Sequence, residues 1–219
     1  MKPIESTLEH RVVLPENSSP AGHPTLVMLH GRGADEEDLL GLSHEYDSRL
    51  MILSARAPHP FPFGGGYTWY DVGEVGTPEP ATFRDSCERL SRFVDDALAH
   101  YPIDPARLYL LGFSMGTVMS FALSLSRPQL VRGVIANSGY VPEGTHLRLQ
   151  WRDLAHMDYF IAHGTQDPVI PVDCARRSRE LFRQSNATVT YKEYPMGHQI
   201  GEESLADSVA FLDRMLATP

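Results

Sequence analysis

The sequence has few cysteines and no long apolar run. Cys87 and Cys174 are its two cysteines, and their number and spacing suit neither a disulfide framework nor a metal site. No apolar stretch is long enough to cross a bilayer, and the segment Met1–His10 lacks the apolar core of a signal peptide. We therefore expect a cytoplasmic protein without stable membrane insertion.

Positive charge is also scarce. The chain has 19 Lys and Arg residues against 28 Asp and Glu, for a net charge of −9 with His neutral. This excess of carboxylates would repel phosphate backbones, so no nucleic-acid partner is expected. The hydrophobic fraction of 42% is that of an ordinary globular protein. A length of 219 residues favours a single domain, residues 1–219, and leaves open whether the chain is a monomer or a homodimer.

Short apolar strands alternate with amphipathic helices along most of the chain. The predicted strands cover residues 7–14, 25–30, 50–54, 107–112, 131–136, 159–163 and 188–194. The predicted helices cover residues 84–101, 115–126, 171–184 and 202–216. This alternation predicts an α/β fold, in which helices cover both faces of a mostly parallel central sheet. The irregular stretch 55–82 is rich in proline, glycine and aromatic residues, and we expect it to be an ordered functional loop.

The segment Gly112–Gly116, with the sequence GFSMG, lies between a predicted buried strand and an apolar helix. This is the setting of a nucleophile elbow, in which a strained turn projects a serine hydroxyl above the sheet. Glycine is needed at both ends because larger side chains would collide with the strand and the helix. Ser114 is the candidate nucleophile, and the amide of Met115 is a candidate oxyanion donor. A structural Gly/Ser turn is the alternative.

A glycine loop follows the first central strand. In His30-Gly31-Arg32-Gly33, the glycines allow the main chain to approach a substrate oxygen, and the Arg32 amide is the second candidate oxyanion donor. We expect His30 to anchor this loop by a hydrogen bond. A plain strand-to-helix turn is the alternative, and the Arg32 side chain is assigned no role.

The remaining candidate residues follow later strands. Asp167 comes directly after the strand 159–163, whereas Asp158 precedes that strand and Asp173 falls in the following helix. His198 lies between the last strand and the last helix. The order Ser, Asp, His is the chain order of a catalytic triad on an α/β-hydrolase fold. Asp167 is therefore the candidate acid and His198 the candidate general base.

These residues together predict hydrolysis of carboxylic esters or thioesters through an acyl-enzyme on Ser114. His198 would move the protons, and the chemistry needs no metal and no organic cofactor. A peptidase or a lysophospholipase would keep the same machinery and change the bond. A non-catalytic binding protein on the same fold is the alternative from another class. His163, at the end of a strand, is interpreted as a packed rim residue.

Aromatic residues of the long loop are the candidates for substrate binding. Phe63, Trp69 and Tyr70, together with Met115, could line an acyl groove. For Trp69, a core aromatic packed beneath the loop is an equal alternative. Little chain separates the strands 131–136 and 159–163, so no large lid is expected. The open site favours small-molecule esters of short to medium acyl chain.

The joint motifs resemble the phospholipase/carboxylesterase family of α/β-hydrolases, which includes acyl-protein thioesterases and small bacterial carboxylesterases. They are LHGRGADEEDLL (Leu29–Leu40), GGYTWYD (Gly65–Asp71), GFSMG (Gly112–Gly116), HGTQDPVIP (His163–Pro171) and YPMGHQI (Tyr194–Ile200). The resemblance implies an α/β-hydrolase fold with no large lid domain. It also implies a triad of Ser114, Asp167 and His198, with oxyanion amides at Arg32 and Met115.

The chain departs from the family pattern beside the candidate nucleophile. Many members carry glutamine and a small residue where this chain has Met115 and Thr117. The amide of residue 115 survives that change, whereas the side chain makes the floor of the site more apolar. The acyl preference is thus left open, with an acyl-protein thioesterase or a lysophospholipase as the alternative to a carboxylesterase.

Overall fold

The computed structural model describes residues 2–17, 19–74 and 76–217, and a seven-stranded sheet forms its centre. In chain order the strands are β1 (His10–Val13), β2 (His23–Leu29), β3 (Met51–Ala55), β4 (His59–Pro60), β5 (Tyr67–Thr68), β6 (Val72–Glu74), β7 (Thr77–Pro78), β8 (Ile103–Phe113), β9 (Gly133–Asn137), β10 (Asp158–Gly164) and β11 (Thr188–Tyr194). The order in the central sheet is β1-β3-β2-β8-β9-β10-β11. Strand β1 is antiparallel to β3, and every other neighbouring pair is parallel.

Helices cover both faces of this sheet. They are α1 (Pro80–His100), α2 (Met115–Ser126), α3 (Val172–Phe182) and α4 (Glu202–Ala217), with short 3-10 helices at Leu39–Glu45 and Pro128–Leu130. Buried side chains of α1, α2 and α3 form one apolar cluster with one face of the sheet. Those of α4 and of the first 3-10 helix form a second cluster with the other face. The expected α/β architecture with a mostly parallel sheet is therefore confirmed.

Helix α1 begins earlier than the predicted boundary at Arg84 because of its cap. The Glu79 side chain accepts hydrogen bonds from the amides of Ala81 and Thr82 at 3.0 and 2.8 Å. Pro80 occupies the first turn, where its missing N–H costs nothing. Capping chemistry, rather than the apolar periodicity, sets this boundary.

The described residues between β3 and α1 include four short strands. Strand β4 pairs with β5 and strand β6 with β7, each antiparallel. Among the described residues, no helix is both long enough and apolar enough to cross a membrane.

Candidate active site

Ser114 lies on the turn between β8 and α2. Its φ of 55° and ψ of −117° place a non-glycine residue in a strained region of backbone space. The end of the neighbouring strand β9 holds this turn in place, because the Ser114 amide donates to the carbonyl of Asn137 at 3.0 Å. A Cβ on Gly112 would overlap the backbone of Gly116, and one on Gly116 would overlap the carbonyl oxygen of Leu29. Glycine at both positions thus allows the close packing that lifts Ser114 above the sheet.

Asp167 and His198 lie on the loops that follow β10 and β11. Two backbone hydrogen bonds join these loops, from Thr165 to the carbonyl of Tyr194 at 2.8 Å and from Gln166 to that of Met196 at 3.1 Å. Parallel neighbouring strands end at the same edge of a sheet, so the two loops emerge beside each other. This pairing sets the spacing between the carboxylate and the imidazole.

The three candidate triad side chains form one hydrogen-bonded chain. His198 Nδ1 lies 2.7 Å from Asp167 Oδ2, and His198 Nε2 lies 3.0 Å from Ser114 Oγ. A carboxylate can only accept, so Nδ1 carries the proton and Nε2 is free to accept the hydrogen bond from the serine hydroxyl. The arrangement is suited to removing a proton from Ser114 as the hydroxyl attacks an acyl carbon.

The carboxylate of Asp167 is fully buried and held on both oxygens. Oδ1 accepts the amides of Val169 and Ile170 at 2.8 and 2.9 Å, while Oδ2 accepts His198. Burial acts to raise the pKa of Asp167, but the hydrogen bonds from His198, Ile170 and Val169 outweigh it, and the pKa lies below its ordinary value. Asp167 therefore stays ionised beside His198.

The other two aspartates considered from the sequence lie apart from this chain of hydrogen bonds. Asp158 begins β10 and pairs with Arg132 at 2.6 Å, at the opposite edge of the sheet. Asp173 lies in the first turn of α3 and pairs with Arg176 at 3.0 Å.

Arg32 and Met115 line the cavity that contains Ser114. Within the described part of the chain, neither amide has a hydrogen-bond acceptor. The loop of Arg32 is anchored by His30, whose Nδ1 lies 2.7 Å from the carbonyl of Gly31. Two unpaired amides beside a serine hydroxyl are the elements of an oxyanion hole.

The cavity at Ser114 has a volume of about 360 Å³. Its lining residues are Gly31, Arg32, Gly33, Ala34, Asp38, Tyr70, Val72, Phe113, Ser114, Met115, Tyr140, Val169, Ile170 and His198. A larger open groove of about 810 Å³ runs along α1 and α2, and no residue predicted for the site lines it.

The three aromatic residues predicted to bind substrate occupy different places. Tyr70 lines the cavity and is almost fully buried. Trp69 is also buried, but it lies beneath the glycine loop, where its indole N–H donates to the carbonyl of His30 at 2.9 Å. Phe63 is 80% exposed, outside the cavity lining, and its ring contacts that of Phe61 with 5.8 Å between centroids.

Sequence reasoning missed several walls of the cavity. Tyr140 follows β9 and Ile170 follows β10, so both lie at the edge of the sheet that carries the triad candidates. Their position after predicted strands could have identified them from the sequence. Burial raises the pKa of Tyr140 and of Tyr70, so both phenols stay protonated in the wall of the cavity. The two phenols also hydrogen-bond to each other.

The chain is similar to known proteins over most of its length. The sequence profile of the phospholipase/carboxylesterase family matches residues 9–216. Acyl-protein thioesterase 1 of Debaryomyces hansenii is 32% identical over 168 residues, which cover 72% of each chain. Acyl-protein thioesterase 1 of Candida albicans is 26% identical over 223 residues, covering 93% of this chain and 96% of the relative.

The crystal structure of the Bacillus cereus carboxylesterase superposes with a TM-score of 0.83 at 25% identity and covers 94% of both chains. The expected α/β-hydrolase fold is thus confirmed. Family members are serine hydrolases with esterase or thioesterase activity. The chain belongs to the phospholipase/carboxylesterase family.

Proposed function

We propose that the protein is a serine carboxylesterase that hydrolyses carboxylic esters of short to medium acyl chain. The observation that carries this proposal is the hydrogen-bonded chain from Asp167 through His198 to Ser114, with distances of 2.7 and 3.0 Å. It ends in a cavity lined by Arg32 and Met115, whose backbone amides have no acceptor among the described residues. A binding protein has no need of a strained serine aligned with a histidine and a buried carboxylate.

In the proposed acylation step, Ser114 Oγ attacks the carbonyl carbon of the ester while His198 Nε2 accepts the hydroxyl proton. The amides of Arg32 and Met115 donate to the oxyanion that develops on the carbonyl oxygen. Asp167 stabilises the imidazolium that forms, since its ionised carboxylate accepts the Nδ1 proton. The tetrahedral intermediate then expels the alcohol, which takes its proton from His198.

The deacylation step uses the same groups. Water enters the place that the alcohol has left, and His198 Nε2 removes one of its protons as the oxygen attacks the acyl carbon. Ser114 Oγ leaves with the proton returned from His198, and the acid is released. Every proton passes through one imidazole nitrogen, so no additional acid or base is required.

Cavity size supports the choice of substrate. A volume of about 360 Å³ is near the lower end of the range of about 300–1,000 Å³ for small-molecule sites. Val72, Val169 and Ile170 supply apolar walls, so an alkyl acyl group of limited length fits best.

The test combines covalent labelling with turnover. A fluorophosphonate probe should label the wild-type protein and the Ser126→Ala variant, and should leave Ser114→Ala unlabelled. Ser126 is the matched control because it lies at the end of the same helix, away from the cavity. On p-nitrophenyl esters from acetate to palmitate, kcat/KM should be highest for the short and medium chains. Absence of labelling at Ser114, or an optimum at palmitate, contradicts the proposal.

A second candidate is an acyl-protein thioesterase, favoured by the names of the two yeast relatives. The machinery would be unchanged, since a thioester reacts through the same tetrahedral intermediate. The two candidates differ in the chain length and in the leaving group. Matched oxygen and thiol esters of butyrate and palmitate separate them: a preference for the palmitoyl thioester favours the second candidate.

A further inference from the structure

His163 is a buried histidine next to the candidate triad that the proposed mechanism does not use. It is the second-to-last residue of β10, and its side chain has no solvent exposure. Its Nε2 lies 2.8 Å from the carbonyl oxygen of Ile170 and 3.4 Å from Oδ2 of Asp167. The ring therefore contacts both the acid and the loop that holds it.

The protonation of His163 follows from its partners. A carbonyl oxygen can only accept, so Nε2 carries a proton. Burial lowers the pKa of His163, although the Ile170 carbonyl and the Asp167 carboxylate act in the opposite direction. The imidazole is therefore neutral, and Nδ1 is a bare acceptor.

That second nitrogen has no hydrogen-bond partner within the described residues. A buried acceptor without a donor destabilises the folded protein, and an apolar side chain of the same size would avoid this cost. Packing alone thus does not account for a histidine at this position. The Nε2–H group is the feature that an apolar side chain would lack.

The Nε2–H group is connected to Asp167 through Ile170. The Ile170 carbonyl accepts His163, and the Ile170 amide donates to Asp167 Oδ1 at 2.9 Å. The neighbouring Val169 amide donates to the same oxygen at 2.8 Å. Holding the Ile170 carbonyl restrains the short segment from which both amides donate, and these amides bind the carboxylate oxygen that faces away from His198.

We propose, on the basis of the proposed function, that His163 is a positioning residue for the Asp167–His198 pair. Its N–H holds the 167–170 loop so that Oδ1 is bound by the loop amides and Oδ2 is left to accept His198 Nδ1. Ile170 also lines the Ser114 cavity, but His163 contacts only its main-chain carbonyl.

Two variants of His163 separate a positioning role from a merely structural one. His163→Met keeps an apolar side chain of similar length and removes the donor. In His163→Gln, the side-chain amide nitrogen can reach the position of Nε2, and the unpaired Nδ1 is lost. We expect His163→Met to lower kcat about tenfold or more, with KM changed by less than about twofold, and His163→Gln to recover most of kcat.

Melting temperatures of both variants are measured alongside the kinetics. A wild-type kcat in folded His163→Met overturns the proposal, as does a His163→Gln variant that folds and is as slow as His163→Met.

Wild-type protein provides a test that does not depend on the folding of any variant. Nitrogen-15 NMR should report His163 as a neutral ring with the proton on Nε2, and a proton on Nδ1 overturns the proposal.

The spectroscopic signature of the pair adds a readout that stability does not affect. The His198 Nδ1 proton, shared with Asp167, should give a downfield proton resonance in wild type and in His163→Gln. It should be broadened or lost in His163→Met well below the melting temperature, and a retained resonance counts against positioning. Failure of fluorophosphonate labelling in the wild type would instead refute the proposed function, which keeps the two failures distinct.

Discussion

His30 Nδ1 lies 2.7 Å from the carbonyl oxygen of Gly31, within the loop that carries the Arg32 amide. The Gly31 carbonyl and the Arg32 N–H belong to one planar peptide, so fixing the first also fixes the direction of the second. The ring is itself held, because its Nε2 accepts the amide of Ala57 at 3.0 Å. Trp69 adds a third contact from beneath, to the His30 carbonyl. The oxyanion donor proposed at Arg32 is thus set by a buried imidazole rather than by the glycines alone.

Replacing His30 by leucine should therefore slow the chemical step. We expect kcat to fall by about 10- to 100-fold with little change in KM, less than the loss of about 10²–10³ when an oxyanion donor is removed outright. Steady-state kinetics on p-nitrophenyl butyrate measure the effect. Trp69→Phe is the control, since it keeps an aromatic ring and removes one contact, and its decrease should be smaller. An unchanged kcat in a folded His30→Leu variant would show that this loop does not stabilise the oxyanion.

The strained backbone of Ser114 predicts an inverted order of stability. At a φ of 55°, glycine is unstrained whereas alanine is not. Ser114→Gly should therefore be more stable than Ser114→Ala by about 1 kcal/mol, although both should be inactive. Urea unfolding provides the comparison.

The control is a helical position at which alanine should be more stable than glycine, the reverse of the order expected at position 114. Ala206 is exposed within α4, and Ala206→Gly should lower the unfolding free energy by about 1 kcal/mol. If Ser114→Ala proved more stable than Ser114→Gly, the backbone of the elbow would not be strained in solution.

The sequence was sufficient to predict the parallel sheet and the neighbourhood of Ser114, Asp167 and His198. These residues follow strands, and parallel strands bring their carboxyl ends to one edge, so order along the chain becomes proximity in space. Glycines at 112 and 116 marked the elbow because the close approach there excludes a side chain.

The cavity walls could not be predicted in the same way. Phe63, Trp69 and Tyr70 are all aromatic residues of one loop, yet one is exposed, one supports the glycine loop and one lines the cavity. Their places depend on partners distant in sequence, such as the His30 carbonyl that accepts the Trp69 indole N–H. No local periodicity encodes such a contact. The roles of these residues in binding stay predictions.

The buried carboxylate of Glu36 predicts a pH-dependent contribution to stability. Arg56 binds it through two hydrogen bonds of 2.5 and 2.6 Å, and this contact holds the pKa of Glu36 below its ordinary value despite burial. A lowered pKa means that the stabilisation is present above the unfolded-state pKa, about 4.3, and is lost as pH falls through the folded-state value. Glu36→Gln should lose about 1–3 kcal/mol of unfolding free energy at pH 7. The deficit should shrink only below about pH 4.

Glu37→Gln is the matched control for this experiment. Its side chain is 56% exposed and pairs with Arg11 at the surface, so the variant should stay within about 0.5 kcal/mol of wild type at every pH. Urea unfolding of the three proteins across the acidic range measures both effects. A Glu36→Gln deficit that already declines between pH 7 and 5 would assign the pH dependence to another group.

Met115 connects the elbow to acyl preference. Met115 lines the cavity, and its Sδ lies 3.3 Å from the hydroxyl oxygen of Thr68, whose closer acceptor is the Tyr70 carbonyl at 2.9 Å. Met115→Ala keeps the backbone amide and removes that part of the wall. The acyl chain with the highest kcat/KM should therefore become longer in a series of p-nitrophenyl esters from acetate to decanoate.

Met119→Ala controls for loss of packing in the same helix. Met119 is fully buried one turn further along α2 and lies outside the lining of the Ser114 cavity. Its truncation should cost about 2–5 kcal/mol of stability and leave the preferred chain length where it is in wild type. Because both variants remove a buried thioether from α2, a change confined to Met115→Ala must come from the cavity wall. An identical optimum in Met115→Ala and wild type would mean that the acyl chain extends along another wall, formed by Val72, Tyr140 or Ile170.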